Sequence, residues 1–286
     1  MESLEENRVN SSNQISFLQI SIYDDLPSWF FWLYVVIHTV NLLLCFPSNA
    51  FILWLMVTRA GRVNASEFFS LNLTVSELLY GLSNICAFIS VFYNVVSVAV
   101  ASAFFSVFLF MGRPLFQTCI CVERYIAVVH PVLFLQLKTL KYRVVCCAAV
   151  WLLVLGACIM QVLTLNNLIL AQRCYIGVYL LLFSVKLFCC LSVLRALRKP
   201  GPGTGGRDKE GSDKVKMKSF KVLLIITVST VLTYLPFIIT FTLYGFISQE
   251  GVFASFGTCA FFAVMTGFVH PFLYLHRMGK LPCIPC

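Results

Sequence analysis

Seven long apolar segments constrain the fold of this chain more than any other feature of its sequence. Of its 286 residues, 59% are hydrophobic and 12% are charged, whereas a soluble domain has about 25% charged residues. Only helices and closed barrels can span lipid, and these segments are too long and too continuous for barrel strands. The sequence therefore predicts an all-α membrane protein, a bundle of seven transmembrane helices. The predicted spans are 29–57, 67–92, 97–129, 143–163, 175–197, 220–246 and 254–275.

The basic residues predict the orientation of the bundle. Of the 21 Lys and Arg residues, Arg8 and Arg173 are the ones predicted on the side of the N-terminus, while most others fall in the loops of the opposite side. Because cytoplasmic loops are enriched in Lys and Arg, we expect the N-terminus outside and the C-terminus in the cytosol. The net charge of +9 thus reflects topology and does not suggest nucleic-acid binding. The predicted organisation is an outer arm (1–28), a membrane domain (29–275) and a short cytosolic tail (276–286).

The ends and loops carry candidate sites of modification and lipid contact. The N-terminus is acidic where a signal peptide would be basic, so we expect the first span to act as an uncleaved anchor. Asn10 begins a glycosylation tripeptide on the outer side, and Cys283 and Cys286 are candidate palmitoylation sites, with free thiols as the alternative. A stretch rich in Pro and Gly (200–206), followed by charged residues to Lys218, predicts a flexible cytosolic loop. Its last basic residues are expected to face lipid headgroups and a cytosolic partner; they are Lys214, Lys216, Lys218 and Lys221.

Short motifs recur in order along the spans. The third span ends in Glu123-Arg124-Tyr125, and the seventh contains His270-Pro271-Phe272-Leu273-Tyr274. The remaining matches are Asn49, Glu77, Trp151 and the pair Tyr234 and Pro236. Together they resemble the motifs of rhodopsin-like (class A) G-protein-coupled receptors over residues 29–280, nearest to the nucleotide, lipid and protease-activated branch. Taken alone, Arg124 has a simpler interpretation as an arginine that anchors a helix end at the interface.

The resemblance implies a receptor in the plasma membrane that is not an enzyme and needs no cofactor or metal. Its partners would be an extracellular ligand, membrane lipids and a heterotrimeric G protein. In such a receptor Glu123 pairs with Arg124 when inactive, and Arg124 docks the G protein when active. The residues implied in G-protein coupling are Glu123, Arg124, Tyr125 and Tyr274. The residues implied in the conformational switch are Asn49, Glu77, Arg113, Tyr234, Pro236, His270 and Pro271.

The residues that would line a ligand pocket are mostly aromatic. Ser106 stands where amine receptors have Asp, so an amine ligand is not expected. The lining favours an apolar small molecule, a lipid or a peptide side chain, although such stripes also occur as plain packing core. The candidate pocket residues are Ser106, Phe110, Tyr234, Phe237, Phe241 and Tyr244.

Several positions depart from the family pattern. Ala99 replaces the cysteine of the usual outer disulfide, so we expect that bond to be absent although Cys174 remains. Leu182 stands near the usual proline of span five, and Thr230 replaces an aromatic switch residue. These departures favour an alternative function as a non-signalling decoy or scaffold. The absence of an acid at position 216 instead predicts a weak inactive lock and basal signalling.

Two charges are predicted at mid-membrane. Glu77 lies ten residues into the second span, about 15 Å deep. Arg113 precedes Arg124 by eleven residues, close to three turns and about 16 Å. We predict an ion pair between Glu77 and Arg113 that replaces the sodium ion bound there in the family; the alternative is that Arg113 faces a watery crevice. Lys186 interrupts the fifth span without an evident acidic partner. A second alternative function, an ion or proton transporter, would use these three charges as its path.

Overall fold

The computed structural model describes residues 27–58, 67–93, 95–137, 139–164, 168–198, 206–242 and 249–277. These residues form helices, seven of which are long and apolar enough to cross a membrane. The seven-span prediction is therefore confirmed. The boundaries lie within three residues of those expected, except that the sixth span was predicted to end at 246 and ends at Thr240. The spans are Ser28–Thr58, Phe68–Tyr93, Val96–Val129, Leu140–Leu163, Tyr175–Ala196, Phe220–Thr240 and Gly257–Leu275, numbered first to seventh below.

The helices extend beyond some of the spans. The helix that contains the fifth span is Leu168–Arg198, and the helix that contains the sixth is Gly206–Thr242. The prediction of a flexible loop is therefore wrong for residues 206–219. Oppositely charged residues four apart, such as Glu210 and Lys214, favour helix, and the apolar sixth span that follows provides a helix to extend. A short helix, Pro131–Leu137, joins the third and fourth spans.

Two spans contain a π-helical turn, and each turn ends two residues before a proline. The turn Asn41–Cys45 precedes Pro47, and the turn Phe108–Gly112 precedes Pro114. Because proline has no N–H to donate to the carbonyl four residues earlier, the helix preceding it is locally widened. In the third span the π turn thus occupies the five residues before Arg113.

The seventh span is interrupted in a similar way. Its two helices are Gln249–Gly267 and Val269–Arg277, with Phe268 between them. Pro271 cannot donate a hydrogen bond to the carbonyl of Gly267, the last residue of the first helix. The helix resumes with a hydrogen bond of 3.0 Å from the N–H of Phe272 to the carbonyl of Phe268.

The bundle buries its core around the third span and presents apolar side chains outward. Val107, Phe116 and Cys121 of the third span are fully buried, while Leu43, Trp54 and many similar side chains are exposed, as a lipid-facing surface requires. The second and third spans approach closely at Gly112, where an added Cβ would overlap the Oγ of Ser76. This contact brings the mid-membrane residues of the two spans together.

Candidate functional site

Glu77 and Arg113 form a bidentate ion pair between the second and third spans. Arg113 donates from Nε to Oε1 of Glu77 at 2.5 Å and from Nη2 to Oε2 at 2.6 Å. Both residues are buried, with exposed fractions of 8% for Glu77 and 2% for Arg113. The predicted ion pair is therefore present. This fork-to-fork geometry is the arrangement in which an arginine binds a carboxylate most strongly.

The remaining donors of Arg113 connect the pair to the seventh span and, through it, to the sixth. Its Nη1 donates to the carbonyl of Ala263 at 2.8 Å and to Oγ1 of Thr266 at 3.3 Å. The hydroxyl of Thr266 lies 2.8 Å from that of Thr233, three residues before Pro236. Four spans are thus linked through one guanidinium. A displacement of the sixth span relative to the seventh would have to rearrange these hydrogen bonds.

The turn just above Arg113 is connected to the sixth span as well. Tyr234 is buried and donates from its hydroxyl to the carbonyl of Leu109 at 2.8 Å. Ser76 donates to the carbonyl of Phe108 at 3.5 Å. Both carbonyls belong to the π turn. Tyr234 therefore contacts the backbone directly above the ion pair.

Lys186 is the second buried cation, and its hydrogen-bond partners are neutral. Its Nζ donates to Oγ1 of Thr230 at 2.8 Å and to Oε1 of Gln117 at 3.2 Å. Thr230 also lies 3.3 Å from Gln117 Oε1. Lys186 is fully buried, so the third, fifth and sixth spans converge on an ammonium group. Thr230, at the position of the family's aromatic switch, is thus part of a polar contact.

The expected coupling triplet lies near the C-terminal end of the third span, which is predicted to face the cytosol. Glu123 accepts a hydrogen bond from Nη2 of Arg143 at 2.6 Å, forming an ion pair between the third and fourth spans. The hydroxyl of Tyr125 lies 3.1 Å from Nε2 of His130, and its ring packs edge-on against Phe188 of the fifth span. The triplet is therefore connected to both neighbouring spans.

The half of the bundle that is predicted to face outward contains a group of stacked aromatic rings. Tyr234 stacks on Tyr179 with ring centroids 4.5 Å apart, and Phe110 lies 5.3 Å from Phe237. The Tyr179 hydroxyl is buried and has no hydrogen-bond partner among the described residues. Two predicted pocket residues, Phe110 and Phe237, are thus together in this group with Tyr234. Ser106 donates to the carbonyl of Ala103 in its own helix.

The other predicted switch residues lie near the first and seventh spans. Asn49 donates to the carbonyl of Cys45 at 2.9 Å, while its Oδ1 and the Nδ1 of His270 are buried without a partner in the described part of the chain. Tyr274 packs in an apolar group with Ile52 and Leu55. The hydrogen bonds described here do not connect His270 to Arg113. Several predicted residues fall outside the described part of the chain or its described side chains: Asn10, Cys174, Lys214, Lys216, Lys218, Phe241, Tyr244, Cys283 and Cys286.

Sequence reasoning missed three contributors to these contacts. Gln117 and Arg143 were not singled out, because a polar residue on a long helix gives no sign of which neighbour it faces. The third is a polar group between the first and second spans, where Asn84 contacts His38 and donates to Asn41 at 3.3 Å. The sequence offered one signal for this group: Pro47 predicts an irregular helix in the residues before it, where Asn41 lies.

A seven-helix bundle with a polar centre and an acid-Arg-Tyr triplet at one end is the architecture expected of a membrane receptor. Comparison with protein families agrees, because the model described as "7 transmembrane receptor (rhodopsin family)" matches residues 48–274. The chain belongs to this family, whose members are receptors and not enzymes, and is a multi-pass protein of the plasma membrane. The ion-transport alternative receives no support.

The curated relatives indicate the nucleotide and lipid branch of the family. The human S-geranylgeranyl-glutathione receptor is 31% identical over 136 residues, 43% of this chain and 35% of the relative. A human purinoceptor is 27% identical over 244 residues, 74% and 63% of the two chains. Human lysophosphatidic acid receptor 4 is 24% identical over 249 residues, 76% and 64%. In each case the match spans less than two thirds of the relative's length.

Proposed function

We propose that this chain is a G-protein-coupled receptor that transmits the binding of an extracellular ligand to a heterotrimeric G protein. The family assignment and the relatives support this function. The observation that carries it is the set of contacts from the outer aromatic group to the mid-membrane ion pair. These contacts join the third, sixth and seventh spans, and in this proposal the sixth span moves. In this proposal the outer arm and the N-terminus are extracellular, and the tail is cytosolic.

The proposed signal begins at Tyr234. A ligand that shifts the ring of Tyr234 disturbs its hydrogen bond to Leu109, in the turn that leads into Arg113. Arg113 in turn contacts Thr266, which contacts Thr233 in the sixth span. Pro236 supplies the pivot of that span, because proline removes a helical hydrogen bond. The inner end of the sixth span then moves, and Arg124 docks the G protein with support from Tyr274.

The proposed ligand has an apolar body and at least one polar group. Phe110, Phe237 and Tyr179 form an apolar aromatic group in which Phe237 and Tyr179 are buried, and the Tyr179 hydroxyl has no hydrogen-bond partner within the described ranges. A buried hydroxyl without a partner is costly, so a ligand that supplies one gains affinity. Two relatives are named for lipid-like ligands. A lipid is therefore the ligand class that we propose for this aromatic group.

Arg124→Ala tests the proposed function. We expect the wild-type chain to promote basal dissociation of at least one G-protein class in cells, and Arg124→Ala to abolish this signal at equal surface expression. The matched control is Lys141→Ala, which removes an exposed basic residue near the same membrane face. Loss of signal in both variants, or its persistence in Arg124→Ala, would contradict the role of Arg124. No signal above mock cells in any G-protein class would favour the non-signalling alternative.

A further inference from the structure

Arg143 is a buried cation that the proposed mechanism has not yet used. It lies one turn inside the fourth span, and its side chain is 4% exposed. Its Nη2 donates to Oε1 of Glu123 at 2.6 Å, while its Nη1 is buried with no hydrogen-bond partner among the residues that the structure describes. An arginine in this position depends on Glu123 for its charge compensation, because a buried charge is stable only when it is paired.

Glu123 is also the acid of the coupling triplet. Its side chain is 11% exposed and directly precedes Arg124 in the chain. A carboxylate attracts both cations, and the charge that it shares with Arg143 is not fully available to Arg124. The strength of the inactive lock then depends on two arginines that compete for one acid, and Arg143 reaches Glu123 from a different helix.

We propose that Arg143 is a positioning residue for G-protein coupling: it holds Glu123 toward the fourth span and thereby weakens the attraction of Glu123 for Arg124. This inference rests on the proposed function and deepens it. A residue with a merely structural role would lower stability and signalling together. Arg143 instead sets the balance between the inactive and coupling positions of Arg124. Its removal therefore lowers signalling when Glu123 is present and leaves signalling unchanged when Glu123 is replaced.

Basal signalling at equal surface expression distinguishes these roles. We expect Arg143→Met to lower the basal signal about threefold or more, since Glu123 then no longer shares its charge with Arg143. Glu123→Gln should raise the signal, and the double variant Arg143→Met/Glu123→Gln should match Glu123→Gln. Lys141→Met is the matched control, because it removes an exposed positive charge two residues away. A basal signal in Arg143→Met equal to or above wild type overturns the inference, as does an equal loss in the Glu123→Gln background.

A second measurement is independent of signalling and separates failure of this inference from failure of the proposed function. Thermal midpoints of the purified receptor are measured for Arg124→Ala, Glu123→Gln and their double variant, giving the coupling between Arg124 and Glu123. We expect this coupling to increase by about 2 °C or more when the cycle is repeated with Arg143→Met. An unchanged coupling overturns the competition. If the wild type does not signal at all, the proposed function fails, and this cycle still decides whether Arg143 competes for Glu123.

Discussion

Arg113 and Lys186 are both buried cations, but their charges are compensated in different ways. The guanidinium of Arg113 binds the carboxylate of Glu77 and donates to further acceptors on the seventh span. Lys186 has an amide oxygen and a hydroxyl. A buried ion in a low-dielectric environment is expensive, and a paired one becomes very unfavourable when its partner is removed. The two sites should therefore respond in opposite ways when their charges are removed.

At the ion pair, removal of one charge should destabilise the receptor more than removal of both. We expect Glu77→Gln or Arg113→Gln to reduce the free energy of unfolding by about 3–5 kcal/mol, because each leaves an uncompensated charge. The double variant Glu77→Gln/Arg113→Gln should recover much of this loss. Thermal midpoints in detergent or nanodiscs provide the measurement. Additive losses in the double variant would show that the two residues are not coupled in this way.

At Lys186, removal of the charge should be stabilising. Lys186→Met keeps a straight side chain of similar length, and Gln117 and Thr230 remain within 3.3 Å of each other. We expect a gain of about 1–3 kcal/mol, because the cost of desolvating an ammonium exceeds the hydrogen bonds it makes to neutral groups. The thermal midpoint checks this, with Lys221→Met as an exposed control. A lower midpoint for Lys186→Met than for the control would mean that the two hydrogen bonds are worth more than the desolvation.

Among the helices, the close approach of the second and third spans matters most for the ion pair. The second and third spans hold the ion pair between them, and Gly112 is the point where they touch through Ser76. The π turn at Phe108–Gly112 gives this contact its geometry, since it displaces the helix just before Arg113. The absence of a side chain at Gly112 therefore permits the close approach that accompanies the pairing of Glu77 and Arg113.

Gly112→Ala should separate the two spans. The added Cβ would overlap the Ser76 Oγ, so the side chain of Ser76 or the helix itself must move, at a cost of about 1–3 kcal/mol. Gly156→Ala in the fourth span is the matched control, because nothing among the described residues lies within 4 Å of its added Cβ. Thermal unfolding of the two variants provides the comparison. Equal midpoints for both would contradict the tight contact at Gly112.

The sequence was sufficient where the signal was local. Span positions follow from apolar runs, and the depths of Glu77 and Arg113 follow from the helical rise, so their pairing could be predicted. The contacts of Arg143 and Lys186 depend on how neighbouring helices are rotated and tilted, which side-chain packing determines. The helical start at Gly206 was missed because glycine and charge suggested a loop, whereas a stable apolar helix downstream extends into such a segment.

At the scale of the whole molecule, the polar centre couples four spans through one guanidinium. In the receptors that this chain resembles, sodium occupies the space between the acid of the second span and the third span. Here both oxygens of Glu77 are bound by Arg113. We therefore expect the entire bundle to be insensitive to sodium.

Replacement of sodium by choline at equal ionic strength should leave the thermal midpoint and the basal G-protein signal of the wild type unchanged. Arg113→Ser removes the guanidinium and leaves the carboxylate of Glu77, so sodium should raise the thermal midpoint of this variant. Thermal unfolding in the two salts measures both effects. A sodium-dependent shift in the wild type as large as that in Arg113→Ser would rule out the built-in pair as a substitute for the ion.

A cation that is covalently attached to its binding site has a very high effective concentration and never dissociates into the solvent. In a receptor that binds sodium, the resting equilibrium varies with the salt around the cell and with the time the ion spends in the site. With Arg113 in that place, occupancy is fixed when the chain folds. The resting balance of this receptor would then not vary with the binding of sodium at this site.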